Sequence, residues 1–207
     1  MNLTAVESSL GKIETNLQQV LERRERILKT SRDVILSSSR AIVLLHSKKK
    51  KEARAEIARA DGLLAAMRRD ARGGLSRYLV SPETEFVEAS VVESVVVDKP
   101  VPDAAKLGVS DEAYLLGLLD SVGELKRMLL VSITEGEVKD TEGYFAMMER
   151  LYALLSPFAV FDNVVNGVRR KIDVARMITE DTRGILAEET RRRALIASIE
   201  RLESKVG

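Results

Sequence analysis

The chain has 207 residues, of which 45% are hydrophobic and 31% charged, and its formal net charge is +1 at pH 7. This length and apolar content suit one core, so we expect a single domain over residues 1–207. The absence of Cys and Trp, of any apolar run of membrane-spanning length and of an apolar N-terminus argues against a disulfide scaffold, a transmembrane helix and a signal peptide. We therefore expect a cytoplasmic protein. With 4 Pro, 12 Gly and 4% aromatic residues, the composition favours helices over sheet.

The small net charge conceals a strong separation of charge along the chain. Residues 20–78 contain 16 Lys and Arg against 7 Asp and Glu, a net of +9, whereas residues 79–149 contain 5 against 15, a net of −10. A basic segment suits contact with a polyanion, and an acidic segment suits a bound cation. The alternative is that the two segments neutralise each other within the fold.

A long apolar stripe at alternating three- and four-residue spacing predicts one helix over residues 3–46. Arg24, Ser31 and Ser38 interrupt the stripe at seven-residue intervals, so this line would face either a channel or a subunit seam. The helix also carries basic residues on more than one face, which leaves some of them exposed and available to phosphate groups. These candidate phosphate-binding residues are Arg23, Arg24, Arg26, Lys29 and Arg32.

A second amphipathic helix is predicted over residues 52–72, with its end at Gly73-Gly74. The next helix should start near Ser81-Pro82, where a capping residue precedes a proline at the first helical position. This helix carries Glu85 and Glu88 and is apolar nearly all round. We therefore expect the helix and its two acids to be buried.

A further helix, capped by Ser110, bears a second acidic pair, Asp120 and Glu124. Gly117 and Gly123 flank this pair and would let another backbone approach closely. Carboxylates gathered in a place of low dielectric raise one another's pKa values unless a cation offsets their charge. Oxygen ligands without Cys or a nearby His indicate Mg²⁺ or Mn²⁺. The alternative is that both acidic pairs lie on ordinary solvated helix faces.

Two more helices are predicted, over residues 140–156 and from about Asn163 to Leu202. The chain contains no Gly-rich phosphate loop, no Ser-His-Asp or Cys-His set and no zinc-ligand spacing, which excludes most other classes of enzyme. The last helix carries a second basic cluster near its start, formed by Arg169, Arg170 and Lys171.

Four stretches of the chain resemble the translin family, and in particular its translin-associated factor X (Trax) branch. In chain order they run from Arg23 to Val34, from Glu85 to Ala89, from Ala113 to Arg127 and from Val168 to Asp173. The family is all-helical and assembles into hollow octamers that bind single-stranded nucleic acid. The resemblance therefore implies an all-α fold, a single antiparallel bundle of six or seven helices with long first and last helices.

The resemblance also implies an activity, because Trax supplies the Mg²⁺-dependent endoribonuclease centre of the translin–Trax complex. The acids of that centre fall on Glu85, Glu88, Asp120 and Glu124. Translin itself lacks the full acidic set, so the resemblance places this chain on the catalytic side. Eukaryotic Trax acts beside a separate translin subunit, which makes a second translin-like chain a partner to test for.

The resulting hypothesis is a Mg²⁺-dependent endoribonuclease that cuts single-stranded RNA inside a homo-octameric shell. The four acids would hold Mg²⁺ or Mn²⁺, which acidifies a water for attack on phosphorus, and Glu88 would accept the proton of that water. The two basic clusters would bind the RNA, and single-stranded DNA is a further candidate ligand. The main alternative is a translin-type protein that binds single strands without cutting them. A ferritin-like di-metal protein is disfavoured, because that class uses Glu-x-x-His pairs and the only histidine is His46.

Overall fold

The computed structural model describes residues 2–206, and within them it contains seven α-helices, two short 3₁₀ helices and no strand. The predicted all-α fold with long first and last helices is confirmed. No helix in this part of the chain is long and apolar enough to cross a membrane. The α-helices are α1 (Thr4–His46), α2 (Lys50–Asp70), α3 (Val80–Val96), α4 (Ala104–Leu107), α5 (Asp111–Glu135), α6 (Val138–Leu155) and α7 (Val168–Val206), and the 3₁₀ helices are Ser76–Tyr78 and Ser156–Phe161.

The chain folds as two compact units, Met1–Gly117 and Leu118–Gly207. The first unit contains α1 to α4 and the first residues of α5. Its core forms where α1, α2 and α3 meet, and it includes Ile27, Val34, Leu64, Met67 and Phe86. The second unit contains the rest of α5 with α6 and α7, and its fully buried side chains include Leu125, Leu129 and Met148. Each unit therefore buries apolar side chains from at least two helices.

Two predicted helix starts are wrong, and in both cases the local backbone explains the difference. Leu79 already has helical dihedral angles after the 3₁₀ helix, so α3 begins at Val80 and Ser81 is not its cap. The last helix begins at Val168 rather than near Asn163, because Gly167 has φ +79° and interrupts the helix there. Asp162 then serves as a capping acceptor, since its Oδ1 receives a hydrogen bond of 3.0 Å from the backbone N–H of Arg169.

The N-terminal half of α1 differs from its C-terminal half in burial. The apolar stripe extends along the whole helix in the sequence, but the core contacts begin only at Val20 and Ile27. The earlier apolar side chains lie exposed on the described unit, with exposed fractions from 48% to 62%, a range that covers Leu3, Val6, Leu10, Ile13 and Leu17. These residues keep the three- and four-residue spacing of a coiled-coil seam.

Candidate functional site

The first acidic pair lies on the middle of α3 and is only half-buried. Glu85 and Glu88 are both of intermediate exposure, whereas their neighbours Phe86, Val87 and Ala89 are buried. The expectation that this pair is buried together with the helix is therefore wrong. An i,i+3 pair occupies one stripe of a helix, and this stripe reaches the surface although the residues between the two acids are buried.

The buried acid of α3 is Glu83, whose side chain is 4% exposed. Its Oε1 accepts a hydrogen bond of 3.3 Å from Arg68 Nε on α2. Its Oε2 accepts two bonds of 3.0 Å, from the backbone N–H and the hydroxyl of Ser110. Ser110 in turn caps α5, as predicted, because its Oγ accepts a bond of 3.3 Å from the backbone N–H of Ala113. Glu83 thus joins α2 and α3 to the start of α5, and it has a structural role that the sequence did not reveal.

The second acidic pair lies on α5, and both of its side chains are partly accessible. The Asp120 side chain is 30% exposed and the Glu124 side chain is 24% exposed. Asp120 Oδ1 contacts the ammonium group of Lys171, the fourth residue of α7. Glu124 Oε2 lies 3.8 Å from Arg127 Nη1 on the next turn of the same helix. Each acid of this pair therefore faces a basic side chain within its own unit.

The two glycines beside this pair behave differently. A Cβ atom at Gly117 would lie 2.6 Å from Val87 Cβ and 2.7 Å from the carbonyl oxygen of Thr84, both on α3. Gly117 therefore permits the close helix approach that the sequence predicted. A Cβ atom at Gly123 would have no neighbour within 4 Å, so the same prediction is wrong at that position.

A cluster of two arginines around one tyrosine is the clearest feature of the basic segment. Arg24 on α1 donates a hydrogen bond of 2.9 Å from its Nε to the hydroxyl oxygen of Tyr78, and Arg77 donates one of 3.3 Å from Nη2. Both guanidinium groups also lie over the Tyr78 ring, 5.4 and 5.1 Å from its centroid. Hydrogen bonding to Arg24 first, and to Arg77, lowers the pKa of the Tyr78 phenol from its ordinary value of 10.0.

The arginine–tyrosine cluster retains its positive charge. The hydrogen bonds that hold Arg24 and Arg77 go to the neutral hydroxyl of Tyr78 rather than to a carboxylate. The sequence singled out Arg24 but not Arg77 or Tyr78, because these two are separated from the basic run of α1 by the whole of α2. A signal was present, since Arg77-Tyr78 places an arginine beside one of only 4 tyrosines in the chain.

The other predicted phosphate-binding residues of α1 divide into two groups. Arg26 is paired with Asp70 through two hydrogen bonds of 3.1 Å, which raise the pKa of Arg26 and lower that of Asp70. Arg23 is half-buried, and Lys29 and Arg32 are exposed. The basic residues of α2 show that the two charged segments do neutralise each other in part, because Arg54 is bonded to Glu93 as Arg68 is to Glu83.

The second basic cluster lies on the first turn of α7. Arg169 and Arg170 are exposed, and Lys171 is held on Asp120. A cation of the protein therefore already contacts one of the predicted metal ligands.

The chemistry of the four predicted ligands fits a hard divalent cation, since all are carboxylates and all are partly accessible. Within residues 2–206, however, no group of three or more His, Asp or Glu side chains is gathered closely enough to hold a metal ion. Metal binding at these acids would therefore need side-chain rearrangement, including release of Asp120 from Lys171.

Within residues 2–206 the protein is all-helical, with two partly accessible acidic pairs and two arginines held on one tyrosine. Residues 74–178 match the translin family, and the chain belongs to that family. It is 39% identical over 108 residues to an uncharacterized protein of Methanocaldococcus jannaschii, an alignment that covers 52% of this chain and 48% of that protein. The matched region thus spans about half the length of that relative.

Solved structures show the same fold over nearly the whole chain. The structure of AfC3PO with duplex RNA is 30% identical, has a TM-score of 0.85, and the match covers 90% of this chain and 98% of that one. The crystal structure of AfC3PO is 30% identical and has a TM-score of 0.83, and the match covers 90% of this chain and 99% of that one. The crystal structure of apo-NeC3PO shares the fold, with a TM-score of 0.77 and 19% identity. That match covers 87% of this chain and 96% of that one.

Proposed function

We propose that the chain is a Mg²⁺-dependent endoribonuclease of the Trax-like branch, acting on single-stranded RNA inside a homo-octameric shell. Its similarity to AfC3PO supports the RNA part, because the structure of that protein was solved in complex with duplex RNA. The observation that carries the proposal on this chain is the pair of guanidinium groups held around Tyr78, which keep their charge and are well suited to phosphate.

The proposed metal ligands are Glu85, Glu88, Asp120 and Glu124, which would hold Mg²⁺ or Mn²⁺. When bound, the metal supplies a Lewis acid that acidifies water and offsets charge on the phosphate. The chain itself contributes carboxylates that are accessible enough to exchange solvent for a ligand. Glu88 is the proposed general base, which accepts the proton of the attacking water.

The proposed RNA contacts are Arg24 with Arg77 on the first unit, together with the exposed Arg169 and Arg170 on α7. Exposed cations neutralise phosphates and release counterions, so affinity should fall steeply with salt. Further contacts are proposed at Arg23, Arg26, Lys29, Arg32 and Lys171. Single-stranded DNA is a second proposed ligand, since contacts to phosphate do not distinguish the two sugars.

The proposed shell rests on the exposed apolar face of α1. Side chains at Leu10, Ile13 and Leu17 lie at coiled-coil spacing and are 48% to 62% exposed, which suits contact with another copy of the chain. The number eight comes from the family resemblance. A separate translin-like subunit in place of some copies is the heteromeric alternative.

The first experiment measures RNA cleavage with Mg²⁺, with Mn²⁺ and with a chelator. We expect cleavage to require the metal and to be lost in Glu88→Ala and in Asp120→Asn. Asp111→Asn is the matched control, since Asp111 is an exposed acid on the same helix as Asp120 and lies outside the proposed set. Full cleavage by both test variants, on protein shown to be folded, would contradict the assignment of the site.

The second experiment tests the basic surface. Arg24→Gln and Arg77→Gln should each weaken RNA binding. Each should also make the negative slope of log affinity against log salt concentration shallower by about 1. Arg54→Gln is the control, because Arg54 is already bonded to Glu93. Equal losses in all three variants would reject a specific role for the cluster. Single-stranded and duplex RNA are compared in parallel, since tighter binding of the duplex would overturn the proposed substrate class.

The alternative function is a translin-type protein that binds single strands without cutting them. Contact of Lys171 with Asp120 favours it in one respect, because an acid paired with an internal cation is not arranged for a metal. The two functions separate cleanly: salt-dependent binding without metal-dependent cleavage would identify the binding protein.

A further inference from the structure

The contact between Lys171 and Asp120 places a cation of the protein on a proposed metal ligand. The two side chains come from α7 and α5 of the same unit, and they are 38% and 30% exposed. An ammonium group is a compact point charge on a flexible stem, so it can occupy the position beside a carboxylate oxygen that a metal ion would take. Two cations at one oxygen would repel each other strongly. Metal binding at this oxygen therefore competes with the Lys171 contact.

The ion pair is weak enough to exchange. Pairs with this exposure contribute little to stability, because water screens them and both side chains lose freedom when they pair. Lys171 also lies on the same helical turn as Arg169 and Arg170, which are both exposed. Successive side chains of a helix point about 100° apart, so a phosphate between Arg170 and Lys171 is reached only when both flexible side chains extend toward it. A phosphate held there would compete with Asp120 for the Lys171 ammonium.

We infer that Lys171 is a positioning residue that couples RNA binding to metal binding. Without RNA it holds Asp120 and lowers the affinity of the site for divalent cations; with RNA it moves to a phosphate and frees the Asp120 carboxylate. The inference rests on the proposed function, in which Asp120 is a metal ligand. Its consequence is that the chain would bind metal more tightly when substrate is present.

A second Lys–Asp pair between the same two helices provides a matched control. Lys126 on α5 contacts Asp181 on α7, with exposed fractions of 24% and 60%. The pair is of the same chemical kind, but neither of its members belongs to the proposed metal set. Removing Lys126 therefore removes one ammonium group and one inter-helix ion pair without releasing a proposed ligand.

The test measures Mn²⁺ affinity by electron paramagnetic resonance, with and without a phosphorothioate-linked single-stranded RNA, which keeps the backbone charge and resists cleavage. Without RNA, Lys171→Met should bind Mn²⁺ roughly two- to fivefold more tightly than wild type, the range expected for removing a weak competing ion pair. Lys126→Met and Lys171→Arg should stay within about twofold of wild type, because the first leaves Asp120 alone and the second keeps its partner. RNA should raise the Mn²⁺ affinity of wild type by a similar factor and that of Lys171→Met by much less.

The outcomes separate the two claims. If Asp120→Asn leaves Mn²⁺ affinity unchanged, the proposed metal site is wrong and the inference falls with it. If Asp120→Asn weakens Mn²⁺ binding but Lys171→Met does not strengthen it, the metal site stands and the competition by Lys171 is wrong. If Lys171→Met strengthens binding but RNA has the same effect on it as on wild type, the coupling is wrong. Circular dichroism of each variant shows that the compared proteins are folded.

Discussion

The close approach of α5 to α3 at Gly117 leads to a prediction about stability. In Gly117→Ala the new Cβ atom would meet Val87 Cβ at 2.6 Å, Val87 Cγ1 at 2.7 Å and the Thr84 carbonyl oxygen at 2.7 Å. Carbon atoms in contact are ordinarily about 3.5–4.0 Å apart, so the overlap is roughly 1 Å. Two of the three atoms are a Cβ and a backbone oxygen, which cannot rotate away. The helices must therefore separate in the variant.

The magnitude follows from two opposing terms. Overpacking of this kind costs about 1–3 kcal/mol, and the backbone contacts place Gly117→Ala at the upper end. Replacing glycine by alanine inside a helix returns about 1 kcal/mol of helix propensity. We therefore expect the free energy of unfolding to fall by about 2 kcal/mol in Gly117→Ala. Gly123→Ala, on the same helix with no atom within 4 Å of the new Cβ, should gain about 1 kcal/mol.

Urea denaturation followed by circular dichroism measures both variants against wild type. Protein concentration must be equal in all samples, because subunit association shifts apparent stability by mass action. A close helix contact at Gly117 requires the two substitutions to change the free energy of unfolding in opposite directions. If Gly117→Ala is as stable as Gly123→Ala, the close helix contact does not exist in solution.

Substitutions at Glu83, Tyr78 and Ile13 should change stability, ionisation and assembly in measurable ways. Glu83→Gln should lower the free energy of unfolding by about 2 kcal/mol in urea denaturation, because it removes the buried carboxylate that accepts hydrogen bonds from Arg68 and Ser110. Asp70→Asn, in an exposed pair, should change it little. In an ultraviolet titration, the phenol of Tyr78 should ionise at lower pH than the phenol of Tyr114. The pKa of Tyr114 is raised by burial first and by the nearby Asp103 second. Loss of the ionisation at the lower pH in Tyr78→Phe identifies that ionisation as the Tyr78 phenol. Because the pKa of Tyr78 is lower in the folded state, this group adds stability as pH rises through that value toward 10.0, and the opposite slope would contradict the hydrogen-bonded cluster. Ile13→Glu should reduce the assembled mass in native mass spectrometry, since it places a charge on the exposed seam of α1, and an unchanged mass would remove that face from the interface.

The sequence predicts the positions of the helices better than it predicts the contacts that their side chains make with other helices. Hydrophobic periodicity is a local signal, and it placed the first helix over residues 3–46 where the structure has Thr4–His46. The Ser110 cap was also predictable, because a capping residue acts on the next turn of its own helix. The start of α3 was not, since it depends on a 3₁₀ helix that brings Leu79 into a helical conformation before Ser81 is reached.

The roles of the acids on α3 could not be assigned by spacing. Glu83, Glu85 and Glu88 all lie on a helix that is apolar nearly all round, and periodicity alone does not say which of them meets a partner. Glu83 is buried because Arg68 and Ser110 lie opposite it, and both are distant in sequence. Their position on an apolar helix singles out Glu85 and Glu88 as a candidate cation-binding pair, and the family resemblance matches them to the acids of the nuclease centre. The structure adds that both are partly accessible.

The separation of charge along the chain indicates either neutralisation within the fold or contact with a polyanion. The structure shows which basic residues of the first unit are paired with acids. Part of the basic segment serves the fold, because Arg54 and Arg68 on α2 are paired with acids of α3. The positive charge of those arginines is only partly available to a polyanion, since a phosphate would have to compete with a carboxylate already in place. Arg24 and Arg77 differ because an uncharged phenol holds them, which orders both guanidinium groups without neutralising them. The net charge of the segment therefore overstates its available basic surface, and under the proposed function Arg24 and Arg77 are the arginines expected to contact RNA.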